Sequence, residues 1–258
     1  MDNMLLAGDV SVSRQGPIGT ISFSHPAHNA MPGAQLKKLT EAIDEAGQDA
    51  DIQVIILKSG GDRTFCAGAS FDELAAIENL DQGKAFFQGF ANVILACRRC
   101  PKIILGRVQG KAVGGGVGIA AAVDYCFATI HAAIKLSELA VGIGPFVVGP
   151  VIERKIGNAA FRQLALRAGD WLSAEWACDQ GLYQEVLPNL DELDQAVQQF
   201  AQKLATYNPE ALAQMKKVFW QGTETWPQLL EERAATSGQL VLSEFTRNAI
   251  AAFKNRNA

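Results

Sequence analysis

Apolar and polar residues alternate along Val10-Ser-Val-Ser-Arg14 and again along Ile18-Gly-Thr-Ile-Ser-Phe23, with Gln15-Gly16-Pro17 between them. Period two on both sides of a turn sequence predicts a β-hairpin. The period then changes. From Pro32 to Gln48, Leu36, Leu39, Ile43 and Ala46 fall on one stripe, which predicts an amphipathic helix. Val54-Ile-Ile-Leu57 is a short apolar run ending in Ser59-Gly-Gly-Asp62, and Lys102-Ile-Ile-Leu105 is a second such run, so both read as buried strands. Between them, Phe65-Cys-Ala-Gly-Ala69 turns into a helix from Asp72. The segment Ala85 to Cys100 places Phe86, Phe87, Phe90, Val93, Ile94 and Cys97 on one helical face. Farther on, Asp124 to Thr129 and Ile134 to Leu136 read as strands, and the chain reads as largely helical from Ala159. Repeated strand–loop–helix units predict an α/β fold. A core over residues 1–207 is expected to lead into a helical region over 208–258, with no low-complexity linker between them.

One stretch does not fit a regular element. Gly110-Lys-Ala-Val-Gly-Gly-Gly-Val-Gly118 has five glycines in nine positions and runs straight into Ile119-Ala-Ala-Ala-Val123. Glycine in an element interior costs about 0.5–1 kcal/mol relative to alanine, so such a run implies that backbone comes close to something. A loop feeding a helix start would leave unpaired N–H groups that can hold an anion. A tight helix–strand packing contact that binds nothing explains the run equally well. The nucleotide loops do not fit: Lys111 precedes the glycines instead of following them, and the dinucleotide fingerprint is matched only loosely.

Composition removes several classes. With 48% apolar and 19% charged residues the 258-residue chain is globular. A net charge of −4 argues against nucleic acid as a partner. The apolar-rich stretch from Leu139 to Ile152 is broken by Gly142, Gly144, Pro145, Gly149 and Pro150 and is too short for a bilayer, and no signal peptide is visible, so a cytoplasmic protein is expected. Five cysteines, an odd number, imply reduced thiols. Cys97-Arg-Arg-Cys100 has redox or metal spacing, but Cys97 belongs to the buried helical face and a metal site lacks further ligands, so no metal is expected.

Three segments together carry a family resemblance. Phe65-Cys-Ala-Gly-Ala-Ser-Phe71, Val113-Gly-Gly-Gly-Val-Gly-Ile-Ala-Ala-Ala-Val-Asp124 and Lys135-Leu-Ser-Glu-Leu-Ala-Val-Gly-Ile-Gly-Pro145 resemble, in order and spacing, the crotonase superfamily of enoyl-CoA hydratases and isomerases. His25-Pro-Ala-His-Asn-Ala30, Leu172-Ser-Ala-Glu-Trp-Ala177 and Gly181-Leu-Tyr183 extend the likeness over nearly the whole chain. The resemblance implies a spiral of strand–strand–helix units with a C-terminal helical region, assembled as a homotrimer or a pair of trimers. It implies an acyl-CoA thioester as substrate, with no separate cofactor. Its shared chemistry is an enolate held by two backbone N–H groups, which fall here on Ala69 and Gly115. Ala67, Gly68, Gly114 and Pro145 would shape the substrate site, and Lys254, with Arg256, would approach the CoA phosphates.

The resemblance also exposes a difference. The hydratases use two glutamates; the second is Glu138 here, but the first falls on Gly118. A single carboxylate suffices for double-bond isomerisation, because one base can take a proton from one carbon and return it two carbons along a dienolate. Isomerisation by Glu138 is therefore slightly favoured. The alternatives are hydration with an acid supplied elsewhere, with Asp72, Glu73 and Glu78 as candidates, or a homologue that binds acyl-CoA without turnover. Between Leu136 and Leu139, Glu138 is expected to be partly buried, with a raised pKa. Phe86, Phe87 and Phe90 are expected in the core or along the acyl pocket. His25 and His28 sit in a turn that lines the CoA path in the family, and His131 and Asp124 read as structural.

Overall fold

A computed structural model describes residues 8–257, with side chains as far as Ala252. The alternating segments form β1 (Asp9–Gln15) and β2 (Ile18–Ser24), an antiparallel hairpin closed at Gln15 and Ile18. After the short β3 (Ala30–Met31), α1 (Gly33–Gln48) buries the expected stripe. β4 (Val54–Ser59) follows, then β5 (Thr64–Cys66), β6 (Gly68–Ala69) and α2 (Phe71–Ala76). The phenylalanine-rich helix α3 (Leu80–Arg99) begins five residues before the expected Ala85, because Asn79 caps it by accepting from Gln82 N–H at 3.0 Å.

The second apolar run is β7 (Ile103–Val108), followed by β8 (Lys111–Val113) and α4 (Gly115–Ala122), the helix that the glycine run opens. β9 (Tyr125–Thr129) and β10 (Ile134–Lys135) lead to a 3-10 turn at Leu139–Val141. The helical part starts sooner than residue 159, at α5 (Gly149–Leu166), where Pro150 suits a first turn. It is also not continuous. After α6 (Ala174–Asp179), β11 (Glu185–Leu187) returns to the sheet before α7 (Leu190–Leu204). Three half-buried residues on a sheet edge carry no sequence period to detect.

Six strands form the main sheet in the order β1-β2-β4-β7-β9-β11, parallel throughout except for the hairpin. Its central strands are apolar on both faces because both faces are covered. Ile55, Leu57 and Ile104 join the large core beneath α1 and α3, while Val54, Ile56, Ile103 and Leu105 pack on Leu193, Val197, Ala201 and Leu204 of α7. The intervening short strands stack beside this sheet as β10-β8-β5 and β3-β6. Each turn of the chain thus adds a strand to the main sheet, one or two short strands beside it, and a helix.

Three helices complete the chain: α8 (Pro209–Phe219), α9 (Trp226–Leu240) and α10 (Glu244–Asn257). α9 runs along α3 at backbone contact, since a Cβ on Gly83 would lie 2.7 Å from the Gly238 Cα. α10 packs on α2 and on the 139–141 turn. α8 is pinned by a buried ion pair, Lys216 Nζ to Asp124 Oδ2 at 2.8 Å, with both side chains 3% exposed. The same ammonium donates to Lys102 O at 2.6 Å, and Asp124 also accepts from Ile104 N–H at 2.8 Å. Asp124 is structural, as the sequence suggests. Removing one partner of a buried pair strands the other charge, so Lys216→Met is expected to lower the unfolding free energy by about 3–5 kcal/mol. Urea denaturation checks this, and a loss below about 1 kcal/mol would contradict a desolvated pair.

Candidate active site

The glycine run performs two tasks. Gly114, at φ +53°, caps α4, and its N–H donates to Lys135 O at 2.8 Å. Gly116 and Gly118 serve packing: a Cβ on Gly116 would sit 2.7 Å from Cys66 Cβ, and one on Gly118 would sit 2.4 Å from Val148 Cγ1. Gly115 is different, because it is the first residue of α4, where an N–H has no acceptor within the helix. A Cβ there would strike the Phe90 ring at 2.1 Å, so the aromatic edge seats directly on this backbone. Across from it, Gly68 adopts φ +86°, and a Cβ on it would lie 2.8 Å from Val113 O and 3.6 Å from Gly115 N. β6 and the start of α4 therefore meet backbone to backbone.

This meeting point opens into a cavity of about 60 Å³. Ala67, Gly68, Ala69, Gly114, Gly115, Glu138 and Pro145 all line it, so residues from three distant segments are brought together. The side chain of Lys254, and that of Arg256, lie outside the described residues. Phe87 and Phe90 also line the cavity, and Phe86 stands edge-on behind them with ring centroids at 5.4 and 6.3 Å. All three rings belong to the buried core, and Phe87 and Phe90 also line this cavity. Phe71 and Val141, within the motif segments, add to the wall, as do Leu74, Val148 and Ser237, which no motif contains. Val148 could have been sought as the partner of Gly118, whereas Ser237 on α9 carries no local signal.

Glu138 is the only ionisable side chain among the described residues lining this cavity. It precedes the 3-10 turn, and its own carbonyl accepts from Val141 N–H at 3.2 Å and Ile143 N–H at 2.9 Å, which fixes the backbone. Its carboxylate faces the glycine loop: a Cβ on Gly114 would stand 3.0 Å from Oε1. Oε2 is buried without a hydrogen-bond partner among the described residues. Burial in this apolar setting raises the pKa from an ordinary 4.5 to about 7.

The other acidic candidates lie elsewhere. Asp72 and Glu73 occupy the first turn of α2, and Glu73 Oε2 accepts from Gly33 N–H at 2.7 Å, tying α2 to α1. Glu78 lines a separate groove with Arg247. His25 and His28 border another cleft with Asp62 and Arg63. His131 lies in a turn between β9 and β10. All five cysteines are free, and burial pushes the thiols of Cys66, Cys97 and Cys126 up to about 12, which keeps them protonated.

Two outcomes check this geometry. A carboxyl whose folded pKa is raised binds more protons folded than unfolded between pH 4.5 and about 7. Its contribution to stability is therefore present below that window, falls as pH rises through it, and stays lost above. Glu138→Gln is expected to match the wild type near pH 4 and to exceed it by up to about 3 kcal/mol at pH 8, read from urea denaturation at both pH values. A difference that does not change with pH would contradict the burial. At the other contact, Gly118→Ala is expected to lose about 1–3 kcal/mol despite alanine's better helix propensity, because Val148 must move. Adding Val148→Gly should recover part of that loss.

Comparison with known proteins agrees with this architecture. The family model described as Enoyl-CoA hydratase/isomerase matches residues 13–256. A probable enoyl-CoA hydratase of Bacillus subtilis (strain 168) is 26% identical over 238 residues, covering 92% of each chain. A carnitinyl-CoA dehydratase of Salmonella paratyphi A is 28% identical over 218 residues, covering 83% of this chain and 81% of the relative. Among solved structures, the enoyl-CoA hydratase from Bacillus halodurans superimposes with a TM-score of 0.87 at 24% identity, over 94% of this chain and 99% of that one, which shows a shared fold. The strand–strand–helix spiral and the match across nearly all of the chain place this protein in the enoyl-CoA hydratase/isomerase family of crotonase-type enzymes.

Proposed function

We propose that this enzyme shifts the double bond of an enoyl-CoA thioester, with Glu138 as the one proton carrier. The observation that carries this reading is the single ionisable side chain lining the cavity among the described residues, set against the backbone of Gly114. The thioester oxygen of a 3-enoyl substrate would accept from the N–H groups of Ala69 and Gly115. The ionised Glu138 removes a proton from the α-carbon, and the electron pair left behind spreads into a dienolate whose negative oxygen those donors stabilise. One fixed oxyanion donor is typically worth about 2.7–4 kcal/mol. The protonated Glu138 then returns its proton to the γ-carbon, so the conjugated 2-enoyl thioester leaves with no net gain or loss of atoms.

A pKa of about 7 suits both halves of this cycle, since the group must accept and release a proton near neutral pH. Ala67, Gly68, Gly114 and Pro145 hold the backbone around the thioester, and Lys254 is assigned to the CoA phosphates. Assembly into a trimer or a pair of trimers belongs to the same proposal. It is supported by Met215, Val218 and Phe219 of α8, which stand 47–57% exposed, the kind of face that a subunit contact covers.

Hydration is the second reading, favoured by the relatives named as hydratase and dehydratase. It needs a second acid in the site. Val148 packs against the position, Gly118, where the resemblance would place one. Purified enzyme given 3-butenoyl-CoA is expected to produce the conjugated thioester, followed by absorbance, at a rate that rises with pH through about 7. Glu138→Gln should reduce that rate by about 10²–10⁴-fold. Addition of water to crotonyl-CoA with no action on 3-butenoyl-CoA would overturn isomerisation in favour of hydration.

A further inference from the structure

We infer that α10 sets the reach of Glu138 into the cavity, with Phe245 and Thr246 as its positioning residues. The inference rests on the proposed role of Glu138 as the proton carrier. The carboxylate stands on an arch of chain. Leu136 and Ile143 are buried at its two ends, but none of Leu139, Ala140 and Val141 between them is buried, and Leu139 is 43% exposed. Hydrogen bonds within the arch, such as Ala140 N–H to Ser137 O and Gly142 N–H to Leu139 O, both at 3.1 Å, fix its shape. They do not fix its tilt about the two buried ends, because each joins one part of the arch to another. A contact from outside is needed for that.

The helix α10 supplies it. Gly142 closes the arch at φ +83°, and a Cβ on it would lie 2.5 Å from both Phe245 Cδ1 and Thr246 Oγ1. The helix is thus seated on the main chain of the arch, four residues from Glu138. Thr246 is itself fixed: its Oγ1 accepts from Ser243 Oγ at 3.0 Å and its N–H donates to Ser243 Oγ at 3.3 Å, so Ser243 caps α10 at the contact. The same helix reaches the other wall. Arg247 and Ile250 border a groove with Leu74 and Glu78, and Leu74 also lines the cavity from α2, the helix that follows Ala69 and Ser70. One helix therefore bears on the segment that carries the base and on the one that carries a proposed oxyanion donor, and their separation depends on it. No charged group takes over this role. Glu73 holds Gly33 N–H, Lys84 pairs with Glu231, and Arg233 stands 6.0 Å from the Phe146 ring centroid. Asp72 and Glu244 lie in the first turns of α2 and α10, and Lys135 lies in β10; among the described residues none of these lines the cavity.

Phe245→Ala in the full chain tests this, and because the ring is 66% exposed the variant gives up little core. Carboxyl NMR of isotope-labelled glutamate, assigned by comparison with Glu138→Gln, follows the Glu138 titration without any need for turnover. The midpoint, about 7 in the wild type, is expected to fall by at least about half a pH unit in Phe245→Ala, because water reaches a carboxylate that the arch no longer holds against Gly114. With 3-butenoyl-CoA, kcat should drop at least about tenfold while KM stays within about twofold. Phe245→Tyr, which keeps the ring, should restore both. If Phe245→Ala fails to fold, Phe245→Leu should show the same two changes at smaller size. An unchanged midpoint and kcat in a folded but less stable variant would make the contact merely structural and overturn the inference. A lowered midpoint in a protein whose wild type leaves 3-butenoyl-CoA untouched would support the positioning role and count against the isomerisation reading alone.

Discussion

The close approach of main chain around Gly114-Gly115-Gly116 is the constraint on which the rest of the molecule depends. At this point β6, the start of α4, the aromatic face of α3 and the Glu138 carboxylate converge, and no Cβ fits at Gly68, Gly115 or Gly116 without displacing a neighbour. Glycine in such numbers weakens local structure. That weakness is offset by burial on every side: all eight residues of α4 are buried, and the helix packs between α3 and α5. A helix start is thereby held in the interior beside a cavity, which a solvated loop would not achieve.

The same constraint sets the chemistry. A carboxylate placed over the glycine loop loses its water, and with Oε2 unpaired a hydrogen bond to its own backbone offsets only part of the loss, so the protonated form is favoured. Glu138 is therefore a destabilised group, held by a backbone whose carbonyl is doubly hydrogen-bonded and by the packing of α10 on the adjacent turn. Strain of this electrostatic kind is useful where a proton must be taken and given back near neutral pH. In the proposed reaction the apolar wall would contribute as well, since low polarity strengthens hydrogen bonds from the N–H groups of Ala69 and Gly115 to a developing oxyanion.

Much of this was legible in the sequence, and the rest was hidden for identifiable reasons. The hairpin, α1, β4 and β7 follow from period and run length, because their residues meet the same core all along the element. The glycine run announced a close approach without saying to what, and the structure divides its glycines between packing at Gly116 and Gly118 and the cavity at Gly114 and Gly115. β11 escaped because a short edge strand has no buried face to generate alternation. The early start of α5 escaped because Gly149-Pro150 reads as a breaker, although proline is well suited to a first helical turn. Ser237 and Val148 reach the site through helix packing and a tertiary contact, neither of which leaves a local pattern. Glu138 was found through a motif, but its isolation in the cavity is a property of the fold alone.

The central claim is that one buried carboxylate carries the proton from one carbon to the other. It is tested most directly by following the label in 3-butenoyl-CoA deuterated at the α-carbon, incubated with the enzyme in ordinary water and analysed by mass spectrometry after the first turnovers. The account predicts that part of the deuterium appears at the γ-carbon of the conjugated product, because the acid formed at Glu138 is shielded from solvent. Conjugated product carrying only solvent hydrogen at that carbon would contradict a single shielded carrier and require a second group or a water chain reaching the site.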